Sequence, residues 1–136
     1  MSGTRLKAGL PAALWLVMVV VAAPVLAAGS WVASVPGVRV ALAEREVASP
    51  PMVPPEAAAD GTIDSVGWRF RLPPGEAVRA RLCHAGGCVT LGAGQGSSRA
   101  LAGLPADTPL HFRFALAPGQ RRAVAVQGLQ VIVNYR

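Results

Sequence analysis

The chain has 136 residues, enough for one small domain, with 13 basic residues against seven acidic ones. Its 52% hydrophobic content is inflated by an apolar N-terminus and does not mark a membrane protein. The basic balance suits an acidic partner, but no clustered basic run with interleaved aromatics supports nucleic-acid binding.

Residues 1–27 have the layout of a cleavable secretory signal peptide. Arg5 and Lys7 form a basic start, and Ala8 to about Ala23 form the apolar stretch. Pro24 then breaks it, and Val25-Leu26-Ala27 supplies small residues where a signal peptidase reads. Cleavage is expected after Ala27, with Ala28 as the second choice. An uncleaved anchor is the competing reading, since the stretch to Ala28 approaches bilayer length. No twin-arginine pair and no lipid-modifiable cysteine accompany it. Cleavage leaves 28–136 as a single periplasmic domain with no further membrane span. It removes Arg5 and Lys7, so eleven basic residues, all arginine, stand against seven acids, a net charge of +4.

Residues Ala28 to Pro36 are expected to be loosely ordered, with Trp31 as an anchor. Val38, Val40 and Leu42 alternate with Arg39 and Ala41 and predict a first strand. Segment 48–61 contains Pro50, Pro51, Pro54 and Pro55, which cannot donate to a ladder, and reads as a long loop or a crossing connection. From Val66 the period-2 signal is strong. Trp68, Phe70 and Leu72 alternate with Arg69 and Arg71, and Pro73-Pro74-Gly75 makes a turn. Val78, Ala80 and Leu82 alternate with Arg79 and Arg81. Val89 and Leu91 follow, then a Gly-rich stretch from Gly92 to Gly96 and a weak strand near Ser98–Leu101. Leu110, Phe112, Phe114 and Leu116 alternate with His111, Arg113 and Ala115, before the turn at Pro118-Gly119. Val124 and Val126 precede Gly128. The last strand sets Leu129, Val131, Val133 and Tyr135 on one face and Gln130, Ile132 and Asn134 on the other. Short strands separated by turns predict an all-β fold, a small antiparallel sandwich or barrel-like domain.

Cys83 and Cys88, an even pair in an exported chain, read as a disulfide. A two-residue turn at Ala85-Gly86 would pair His84 with Gly87 and set Cys83 opposite Cys88, a non-hydrogen-bonded position where side chains are closest. Leu82 then faces Val89, Arg81 faces Thr90 and Ala80 faces Leu91. This register puts the disulfide on the outer face. A redox-active pair or a metal site with His84 are the competing readings, but the spacing is C-x4-C and a fourth ligand is missing.

Arg69, Arg71, Arg79, Arg81 and Arg113 occupy the polar phase of their strands. If those strands share a sheet, they form a basic stripe. It is either a solvated face whose charges discourage edge-to-edge pairing or a docking surface for an acidic protein patch. His84 and His111 lie in a turn and on a strand. No hydrolase, zinc, phosphate-loop or dinucleotide motif follows the export segment, and Asp60, Asp64 and Asp107 lack calcium-loop spacing. Catalysis is not expected, and neither a metal nor a cofactor is implied.

Four blocks carry a resemblance: W-R-F-R-L at 68–72, R-A-R-L-C-x4-C-V-T-L at 79–91, P-L-H-F at 109–112 and Q-V-I-V-N-Y-R at 130–136. Together they resemble the flagellar FlhE family, most strongly over 66–136 and more weakly back through Gly37-Val38 to Ala28–Trp31. The Pro-rich 48–61 segment departs most. The resemblance implies a periplasmic, all-β accessory of flagellar assembly without catalytic residues. It implies chaperone-like action or limitation of proton leakage through the type III export apparatus. The partners implied are that apparatus or periplasmic flagellar structural proteins. An exported binding module for envelope glycan or a small ligand is the rival, and would need a concave, aromatic-lined site.

Overall fold

A computed structural model of the chain describes residues 28–136, together with Val17 and Met18. The expected export segment otherwise lies outside the described residues. Among the described residues, no helix is long and apolar enough to cross a membrane.

Among the described residues, nine strands, numbered in chain order, form two antiparallel sheets packed as a sandwich. The first sheet contains β1 (Gly29–Val35), β2 (Val38–Val40), β4 (Ile63–Arg71), β7 (Gln95–Ser98) and β9 (Val124–Tyr135). Its order is β1-β9-β4-β7, with β2 also pairing β9. The second sheet contains β3 (Val47–Ala48), β5 (Val78–His84), β6 (Gly87–Leu91) and β8 (His111–Leu116), in the order β3-β8-β5-β6.

Period-2 alternation explains the core. On β8, Phe112, Phe114 and Leu116 point inward while His111, Arg113 and Ala115 point out. Phe70 from the facing sheet meets Phe114 edge-to-face at 5.2 Å between ring centroids, a preferred aromatic geometry. On β9 the inward phase passes from Val124 and Val126 to Leu129, Val131 and Val133. One extra residue is absorbed between the pairs Arg69↔Gln130 and Arg71↔Gln127, a β-bulge. Gly128 supplies its left-handed backbone at φ 66°, with the Arg71 guanidinium lying over it.

Three elements differ from the sequence expectation. Ala28–Pro36 is not loosely ordered: Gly29 to Val35 pair residue by residue with Tyr135 to Leu129. Trp31 is buried and donates its indole N–H to the Ala106 carbonyl at 2.8 Å. The first predicted strand ends at Val40, and Leu42 is 55% exposed in the connection to β3. The weak strand near Ser98–Leu101 forms earlier, as β7, because Gly96 lies opposite Trp68 and leaves room for its indole.

Of the two readings its composition allows, the Pro-rich segment is the crossing connection. Ser49 and Met52 continue along β8, with Ser49 N–H donating to the Phe112 carbonyl and Met52 N–H to the Leu110 carbonyl. A 3-10 turn at Glu56–Ala58 then packs against β1. Met52 and Ala58 are buried, so this segment closes the side of the sandwich where β2 meets β3. On the opposite side, β6 runs through Gly92–Gly94 directly into β7.

Candidate partner-binding surface

The β5–β6 hairpin has the register its sequence predicts, from Ala80↔Leu91 through Cys83↔Cys88 to His84↔Gly87. The disulfide is present, with Cα atoms 4.0 Å apart, the close spacing of a non-hydrogen-bonded pair. It lies on the outer phase, although Cys83 itself is covered while Cys88 is exposed. The His84 Nδ1 accepts the Gly86 N–H at 3.1 Å and so braces the turn. No group of three or more metal-ligating side chains occurs among the described residues.

The five arginines do not share a sheet. Arg69 and Arg71 lie on β4 in the first sheet, whereas Arg79, Arg81 and Arg113 lie on β5 and β8 in the second. The single stripe therefore divides. The connection Leu72–Ala77 turns a corner between the sheets instead of closing a hairpin. None of the five sits on an edge strand, so they do not act as edge guards.

On the second sheet the register places Arg79 beside Ala115, Arg81 beside Arg113 and Cys83 beside His111. Two like charges directly opposite each other repel. Glu46, on the approach to β3, resolves this. Arg81 donates to it through both Nε, at 3.0 Å to Oε2, and Nη2. Arg113 donates from Nη1 at 3.4 Å to Oε1 and from Nε at 3.2 Å to His111 Nε2. The hydrogen bonds from Arg81 hold the Glu46 carboxyl below its usual range, with Arg113 adding to the effect. Burial first, then the Arg113 and Arg81 charges, push the His111 imidazole down, which keeps it the neutral acceptor Arg113 needs. Arg79 has no ion-pair partner among the described residues. It lines a groove of about 360 Å³ with Ala43, Glu44, Ala115 and the Pro118-Gly119 turn.

Sequence reasoning missed Glu46. It lies 35 residues from Arg81 and 67 from Arg113, and precedes a strand of only two residues. The left-handed backbone of Glu44, φ 64°, turns the connection that delivers it. A two-residue strand is too short to show alternation, so no local signal announces this contact.

The family profile described as "Flagellar protein FlhE" matches residues 37–136. The chain belongs to the flagellar protein FlhE family. A Flagellar protein FlhE of Yersinia enterocolitica is 35% identical over 117 residues, covering 82% of this chain and 84% of its own length. That of Salmonella typhimurium strain LT2 is also 35% identical, over 127 residues, covering 90% of this chain and 98% of its own. The solved structure titled "Crystal Structure of FLHE" superposes with a TM-score of 0.71 at 34% identity. It covers 80% of this chain and 97% of that one. The FlhE match spans β2 to β9, and therefore the hairpin, Glu46 and all five arginines.

Proposed function

We propose that this FlhE-family protein acts in the periplasm as an accessory of flagellar assembly. It does so by binding a protein of the export apparatus or a periplasmic flagellar part, not by catalysis. Family membership supports the flagellar role. The observation that carries the binding reading is the outer face of the second sheet, where Arg81 and Arg113 converge on one acid, Glu46, and Arg79 stands on the same strand as Arg81 without an ion-pair partner among the described residues. Glu46 neutralises part of that charge and fixes two guanidinium groups, so the face is pre-organised for carboxylates. Bound there, the domain would shield an assembling component or cover a proton path at the export apparatus. The glycan-module rival would have to rest on the half-buried Trp68 and Tyr135, since Trp31, Phe70, Phe112 and Phe114 are buried in the core.

The test is complementation of a deletion strain with Arg79→Glu/Arg81→Glu, scored for swarming, filament placement and cytoplasmic pH. The reading expects a flagellar defect on deletion that the double variant, folded by circular dichroism, fails to restore. Full restoration removes the arginine face. A deletion without flagellar phenotype removes the assembly role. A defect confined to cytoplasmic pH selects proton containment, and one confined to filaments selects the chaperone-like action.

A further inference from the structure

The outer side of β6 pairs with nothing among the described residues. Its sequence, Gly87 to Leu91, contains neither proline nor a charged residue, the two devices that usually guard an exposed edge. The closeness of the Cys83 and Cys88 Cα atoms marks a non-hydrogen-bonded pair. The N–H and C=O of Cys88 therefore point away from β5, and those of Thr90, two residues on, do the same. Four backbone groups are offered along one strand whose register the disulfide pins.

The side chains around this edge are partly or fully open to solvent. Val89 and Trp68 are half-buried, packed against the core from β6 and β4. The Trp68 indole reaches across Gly96 and donates to the Ala93 carbonyl at 2.9 Å, in the link between β6 and β7. On the outer phase, Cys88 and Thr90 are exposed. One step beyond the pair Ala80↔Leu91, the register sets Arg79 opposite Gly92, where a Cβ would meet nothing within 4 Å. Gly92 leaves that row empty, so Arg79, which lines the groove beside Ala115, has room to swing toward a strand laid along β6.

We infer that β6 captures an extended segment of a partner protein by strand addition, the segment carrying apolar side chains on its inward phase and carboxylates on its outward phase. The inward side chain packs beside Val89 toward Trp68, and an outward carboxylate meets Arg79. This rests on the protein-binding reading above and names the chemistry of the partner. Backbone pairing supplies affinity, while the two side-chain phases supply selectivity.

The experiment titrates the isotope-labelled mature domain with a peptide alternating valine and aspartate, followed by amide exchange and chemical shifts. The Cys88 and Thr90 amides are expected to gain protection, and a lysine-for-aspartate peptide to bind about tenfold more weakly or worse. Thr90→Pro removes an N–H that the β5 ladder does not use, and is expected to abolish binding. If that variant does not fold, Thr90→Glu keeps the test: it is expected to weaken the aspartate peptide and not the lysine peptide. No protection at Cys88 and Thr90 with the peptide at millimolar concentration overturns the inference. So do shifts confined to the Val32–Ile132 face, or equal binding of the two peptides. Restoration of a flagellar defect by Thr90→Pro would remove the edge and leave the assembly role intact. A deletion without such a defect would remove that role while the peptide titration still decides the edge.

Discussion

The two sides of the sandwich are finished with opposite residue types. Where β2 meets β3, the chain lays Ser49 to Met52 along the β8 edge and Glu56–Ala58 against β1, with prolines at 50, 51, 54 and 55. Prolines lack N–H groups, so the donors to the Phe112 and Leu110 carbonyls come from Ser49 and Met52. The Ser49 hydroxyl in turn accepts the Phe112 N–H at 2.9 Å and donates to the Pro50 carbonyl. On the other side, β6 and β7 end in backbone groups with no partner among the described residues, and the arginines stand on interior strands. Proline sealing is thus present at one edge and missing at the other. On the strand-addition inference, the first side serves stability and the second recognition.

Variants at the two sides should separate in the same order. Met52→Ala removes a buried side chain from the sealed side, and a loss of about 2–5 kcal/mol is expected in denaturant unfolding. Ser49→Ala leaves the buried Phe112 N–H unsatisfied, with an expected loss of about 1–3 kcal/mol. Replacing both Cys83 and Cys88 by alanine releases a short loop, and about 2 kcal/mol is expected from chain entropy. Thr90→Glu at the open side touches no core contact and should stay within about 0.5 kcal/mol of the parent. A loss at Thr90 as large as that at Ser49 would break the comparison.

A pH series sharpens it further. The folded His111 is pushed below its ordinary 6.5, so below that value the unfolded chain takes up the proton more readily. Stability therefore falls as pH drops from 6.5 toward the folded value, then levels. Glu46, depressed from 4.5, contributes stability above 4.5 that is lost as pH falls through its folded value. His111→Asn should flatten the upper limb and leave the lower one, as read from denaturation midpoints on both sides of pH 6.5.

Legibility in the sequence followed local pattern. The β5–β6 register was readable because cysteine spacing and apolar alternation demand the same pairing. β1 was not, since Ser30, Ala33 and Ser34 blur the alternation and its partner β9 lies at the far end of the chain. The arginine phases were readable, but their sheets were not. Pro73-Pro74-Gly75 resembles a hairpin turn, while the six residues Leu72–Ala77 form a corner between sheets. Glu46 was invisible because its meaning lies wholly in contacts distant along the chain.

Hydrogen exchange on the free mature domain tests the contrast most directly. Cys88 and Thr90 should exchange far faster than Val89 between them, and far faster than Met52 and Phe112 at the sealed side. Protection of Cys88 and Thr90 equal to that of Val89 would mean that the β6 edge is already paired, and would contradict the account.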